Sequence, residues 1–151
     1  DQFCGGTLVH EDWVLTSARC ADSFTCPGPI SVLVGAFDLD TWYQESFVID
    51  GVTYSPELRR AEAVVVHPDF DASTNDVALI KLNESSKLPP VRLNAGDQTA
   101  FLEQQRQRAD AVAVGWGDTT DLEKTDDYPA MLQYATVPLV EDDVCESALR
   151  S

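Results

Sequence analysis

The feature that most constrains this chain is the recurrence of short apolar runs, each closed by turn-forming residues. They cover Thr7 to His10, Trp13 to Thr16, Ile30 to Val34, Phe47 to Ile49, Ala63 to Val66, Val77 to Leu82, Ala111 to Gly115 and Leu132 to Val137. Runs of this length suit strands and are too short for helices, so the spacing predicts an all-β chain. A single helix is expected, from Glu141 to Leu149. Acids fill its first turn, Val144, Ala148 and Leu149 share one face, and Arg150 stands near its C-terminal end. Thr16 to Cys20 and Leu102 to Arg108 are too short for periodicity to decide, and both stay open. The stretch between Ser85 and Asp110 changes character, with Pro89-Pro90 and Asn94-Ala95-Gly96-Asp97 leading into polar residues, and reads as a connection between two sub-domains. The sequence contains no internal repeat and no low-complexity tract.

Charge narrows the partners. Ten Lys and Arg stand against 26 Asp and Glu, a formal charge of -16 over 151 residues and a pI near 4.1. A phosphate backbone or an anionic membrane surface is repelled on average, so neither a nucleic acid nor a membrane is an expected partner. No run reaches the roughly 18 apolar residues of a membrane helix. The acids gather at Asp38 and Asp40, Asp69 and Asp71, Asp118 to Asp127 and Glu141 to Asp143, beside turn residues, as solvated loops do.

Cys4, Cys20, Cys26 and Cys145 form an even set without a C-x2-C pair, and only His10 and His67 stand available to join them. Zinc is therefore disfavoured; disulfides are the preferred reading, with buried free thiols as the competing one. Asn83-Glu84-Ser85 satisfies the N-x-[ST] pattern and makes Asn83 a glycosylation candidate. The first residue is Asp1 with no leader before Phe3-Cys4, so processing or fragmentation is expected to have removed the true start.

Three segments carry chemistry. Phe3-Cys4-Gly5-Gly6-Thr7-Leu8-Val9, followed by Trp13-Val14-Leu15-Thr16-Ser17-Ala18-Arg19-Cys20, resembles the trypsin and chymotrypsin family of S1 serine endopeptidases, which read CGG-[ST]-L and then WV-[LV]-[ST]-A-A-H-C. Val66-His67-Pro68-Asp69-Phe70 and Asn75-Asp76-Val77-Ala78-Leu79-Ile80-Lys81-Leu82 resemble its VHP-x-[YF] and ND-[IV]-ALIKL motifs. Val114-Gly115-Trp116-Gly117, then Leu132-Gln133 and Val137-Pro138-Leu139-Val140 with Cys145, resemble its GWG turn and the stretch that follows. The resemblance implies a partial S1 domain over residues 1–151 on a double antiparallel β-barrel: most of the first barrel in 1–95 and about half of the second in 96–151. It also implies a Cys4–Cys20 disulfide, Asp76 as the acid of the catalytic triad, secretion, and open edges that leave the isolated chain less stable and prone to associate. Cys145 resembles one half of a disulfide whose partner lies beyond Ser151, and Cys26 has no family partner.

The departures matter as much. Arg19 stands where the family has the histidine that takes and returns the serine proton. A guanidinium with a pKa above about 12 stays protonated and does neither. Loss of the base in a comparable triad removes on the order of 10⁶ in turnover. His10, on a strand, and His67, in the family's structural His-Pro pair, are expected to be structural. No G-x-S-x-G or GDSGG segment occurs, so the chain contains no nucleophile. Arg19 is expected to face Asp76 as an ion pair shielding a buried carboxylate; the competing reading sends Arg19 to solvent and Asp76 to backbone amides. The acids from Asp38 to Asp50 miss the calcium-loop pattern, so no metal and no cofactor is expected. The preferred reading is a secreted protease homologue that binds or inhibits a protein or peptide without cleaving it. An active endopeptidase in which Arg19 is a variant of the catalytic histidine is the alternative, and a partial gene product without a role of its own is the third.

Overall fold

A computed structural model describes residues 2–21, 28–93, 110–119, 128–140 and 142–149. Cys26 and the 102–108 stretch lie outside the described residues. The chain divides into two compact units, Asp1–Leu93 and Asn94–Ser151.

Among the described residues the first unit contains seven strands: β1 (Thr7–His10), β2 (Trp13–Thr16), β3 (Ser31–Val34), β4 (Phe47–Ile49), β5 (Val52–Tyr54), β6 (Glu57–Val66) and β7 (Ala78–Leu82). Five of them form a curled antiparallel sheet in the order β1-β2-β7-β6-β3, and β4 pairs with β5 as a separate hairpin. The centre of the sheet is β7, where Ala78, Ile80 and Leu82 are buried alternately with Leu79 and Lys81, the period of two that a half-buried strand requires. Ile80 and Leu82 join Val14 of β2 in the main core, with Leu8, Ile30, Val32 and Ala61 packed around them. Each of the three buried side chains, Val14, Ile80 and Leu82, contributes about 1.5–3 kcal/mol by leaving water.

The curl has a local cause in β6. Its first residues pair with β3 (Ser31 opposite Arg60, Val34 opposite Glu57) and its last with β7 (Val66 opposite Ala78). The register shifts between Ala61 and Ala63, which leaves Glu62 as the extra residue of a bulge that bends the strand. The sequence predicts only Ala63 to Val66 here; the strand is ten residues long. Its first half, Glu57-Leu58-Arg59-Arg60-Ala61, is mostly charged and so presents no apolar run, yet pairing with β3 holds it extended. The β4–β5 hairpin was likewise half seen. Asp50 (φ 50°) and Gly51 (φ 80°) make the two-residue left-handed turn that Asp-Gly favours, a stronger hairpin signal than the apolar run before it.

Short helical elements complete the described structure. The open segment at Thr16 to Cys20 ends in α1 (Ala18–Ala21), whose start is capped by Ser17 Oγ accepting from the Cys20 N–H at 3.3 Å. A 3₁₀ turn at Trp42–Gln44 had no sequence signal. In the second unit β8 (Asp110–Gly115) pairs antiparallel with β9 (Gln133–Pro138), and α2 (Asp142–Leu149) follows where a helix was expected. The all-β architecture of a partial double barrel with only short helices is therefore present.

Candidate functional site

The site is built where α1 meets the segment entering β7. Ala18, Ala21 and Ala78 form a second buried cluster with Val66 and Phe70 around it. Three side chains of one carbon each let α1 sit directly on the β6–β7 ladder, and that close approach brings Arg19 to Asp76. Two ties hold α1 from the other side. The Cys4–Cys20 disulfide, with Cα atoms 6.0 Å apart, links it to the segment before β1, and Thr16 Oγ1 donates to the Gly5 carbonyl at 2.8 Å. Gly6 lies in the same contact. A Cβ there would stand 2.7 Å from Val14 Cγ1 and 3.2 Å from the Leu15 carbonyl, so Gly6 permits an approach that a larger residue would crowd, whereas Gly5 faces open space.

Asp76 is aimed by the loop between β6 and β7. The His67 N–H donates to the Val77 carbonyl at 3.0 Å and closes its neck. His67 Nδ1 accepts from the Asp69 N–H at 3.2 Å, and Asn75 Nδ2 donates to the Asp69 carbonyl at 3.0 Å. Asp71 accepts from the Ser73 N–H, the Ser73 hydroxyl and the Thr74 N–H at 2.9, 2.8 and 2.6 Å, and these bonds hold its carboxyl well below the usual carboxylate range. Asn75 turns the chain through a left-handed conformation, φ 55°, one residue before Asp76.

The Asp76 carboxylate then receives two donors from one residue. The Arg19 backbone N–H donates to Oδ1 at 2.9 Å, and the guanidinium Nε approaches Oδ2 at 3.0 Å. The ion pair and the backbone contact coexist, so the two competing expectations are not exclusive. Solvation differs from expectation. The Arg19 and Asp76 side chains are 61% and 28% exposed, so the cost of an uncompensated buried charge is replaced by the smaller energetics of a partly hydrated pair.

Neither histidine reaches this carboxylate as a partner. His10 Nδ1 accepts from the Asp12 N–H at 3.2 Å and His67 caps the loop described above. Asn83 is exposed at the end of β7, and Cys145 is an exposed free cysteine of α2. Among the described residues no group of three His, Cys, Asp or Glu side chains is placed to hold a metal ion. Within the acidic stretch from Asp38 to Asp50, Glu45 accepts from the Phe37 and Asp38 N–H groups at 2.8 and 2.6 Å, which engages that carboxylate in closing the loop. Sequence reasoning missed Ser17 and the three alanines as positioning residues. A capping-type residue ahead of a short apolar stretch was the available signal for Ser17; nothing local marks the alanines.

Chemically, an arginine and a carboxylate joined at 3.0 Å bind and orient charged groups but do not cycle a proton. A disulfide-tied antiparallel β-fold that brings an aspartate from the strand-entry loop against a short helix defines an S1-type serine peptidase scaffold. The chain belongs to the trypsin family, whose model, described as Trypsin, matches residues 1–151. It is 31% identical over 150 residues to cationic trypsin-3 of Rattus norvegicus, covering 97% of this chain and 52% of the rat protein. Trypsin of Sus scrofa is 30% identical over 150 residues, with 97% and 55% covered. Vitamin K-dependent protein C of Oryctolagus cuniculus is 29% identical over 154 residues, with 97% and 31% covered. The chain spans about half the length of the trypsins it matches.

Proposed function

We propose that this chain belongs to a secreted, non-catalytic homologue of the trypsin-like endopeptidases that acts by binding, or inhibiting through binding, a protein or peptide. One observation supports the reading: Arg19, which the motif resemblance assigns to the general-base position, engages Asp76, assigned to the triad acid, through both backbone and side chain. The aspartate keeps the role of orienting residue 19, while the residue it orients holds its proton throughout the physiological range. The Cys4–Cys20 bond supports secretion, because disulfides persist in oxidising compartments. The acidic chain supports a protein or peptide partner over a nucleic acid or an anionic membrane.

A second reading, an active endopeptidase with Arg19 as a variant of the catalytic histidine, is favoured by the intact framework around that position. A serine-reactive fluorophosphonate probe on the full-length protein separates the two. The binding reading expects no covalent labelling and peptide hydrolysis on the order of 10⁶ below a trypsin. Labelling of the unaltered protein would establish the second reading. Vigorous hydrolysis only after Arg19→His would show that this one position silences an otherwise complete enzyme.

A further inference from the structure

We propose that Asn83 is an occupied N-glycosylation site, a modification the fold accommodates without displacing a core contact. The sequon Asn83-Glu84-Ser85 lies immediately after β7, and all three residues are exposed. Its geometry goes beyond the motif. The Asn83 N–H donates to the Arg60 carbonyl at 2.9 Å, and the Arg60 N–H donates to Asn83 Oδ1 at 2.8 Å. A backbone N–H requires an acceptor, so the orientation of the Asn83 amide is decided by chemistry: Oδ1 faces β6 and Nδ2 faces away. Nδ2 makes no hydrogen bond among the described residues.

N-glycosylation uses that atom and spares the other. The Nδ2–C1 bond to the sugar forms, and the C1–O bond to the pyrophosphate of a polyprenyl-pyrophosphate-linked oligosaccharide breaks. One Nδ2 proton is released with the pyrophosphate leaving group. Oδ1 remains a carbonyl acceptor, so the contact with Arg60 survives and the glycan projects into solvent beside the β1–β2 turn. There Ser85 Oγ donates to Asp12 Oδ1 at 2.6 Å. The Cys4–Cys20 disulfide is the independent pointer to the oxidising secretory route in which such transfer occurs.

The proposal rests on the secretory reading above, and its test keeps the two separable. The full-length protein is expressed in eukaryotic cells, once with its own N-terminus and once behind a known secretory leader. N-glycosidase treatment is expected to increase the mobility of the secreted product, with one glycan of that shift depending on Asn83. Ser85→Thr should retain that shift. Ser85→Ala and Asn83→Asp should each shorten it by one glycan. A leader-driven product that reaches the medium with Cys4 and Cys20 bonded, yet shows no Asn83-dependent shift, would overturn the glycan proposal and leave secretion standing. A shift only behind the foreign leader would uphold the site and overturn the native route.

Discussion

At the scale of single residues, Asp76 decides more than Arg19 does. Its carboxylate satisfies a backbone N–H as well as a guanidinium, and the two contacts differ in what their loss leaves behind. Truncating Arg19 to Ala leaves a carboxylate that is 28% exposed and still bonded to the backbone, so the expected loss is at most about 1 kcal/mol. Asp76→Ala strips the acceptor from the Arg19 N–H and is expected to cost about 1–3 kcal/mol. Asp76→Asn keeps an oxygen there and should fall between them. Urea midpoints at constant slope measure all three, and a larger loss from Arg19→Ala than from Asp76→Ala would contradict this ranking. The motif around Cys4, Arg19, Cys20 and Asp76 was legible from residue order alone. The partial hydration of the pair was not, because exposure is set by neighbours remote in sequence.

At the scale of elements, the β6–β7 loop is a built support whose strength depends on acidity. Asp71 accepts three hydrogen bonds as a carboxylate, which depresses its pKa below the ordinary aspartate value near 4. A depressed carboxylate contributes its full stabilisation above the unfolded-state value and loses it as pH falls through the folded-state value. The wild-type chain is therefore expected to lose stability progressively below about pH 4. Asp71→Asn, which has no proton to gain there, should show a shallower acid limb in urea midpoints; identical limbs would remove Asp71 from the account. A comparable dependence on context governs Gly35. Its φ of +80° and a would-be Cβ 2.5 Å from Leu88 Cδ2 reserve the end of β3 for glycine, although the sequence offers only an ordinary turn residue. Strand β6 makes the same point at greater length: half of it carries charged side chains, and partners on both sides rather than its own apolarity keep it extended.

At the scale of the whole molecule, the formal charge of -16 gives the protein a repulsive long-range field toward polyanions. No retardation of duplex DNA is expected in a gel-shift titration at low salt, where cationic contacts would be strongest; a salt-sensitive shift would expose a basic surface that composition conceals. The sequence by itself determined the β class, the family, the Cys4–Cys20 pairing through that family, and the final helix, because each is written in adjacent residues or in a motif. Tertiary structure decided the bulge at Glu62, the full length of β6, the seating of α1 on Ala18, Ala21 and Ala78, and the double engagement of Asp76. These depend on which distant backbone groups come within hydrogen-bond or van der Waals reach, and only the closed chain sets those distances.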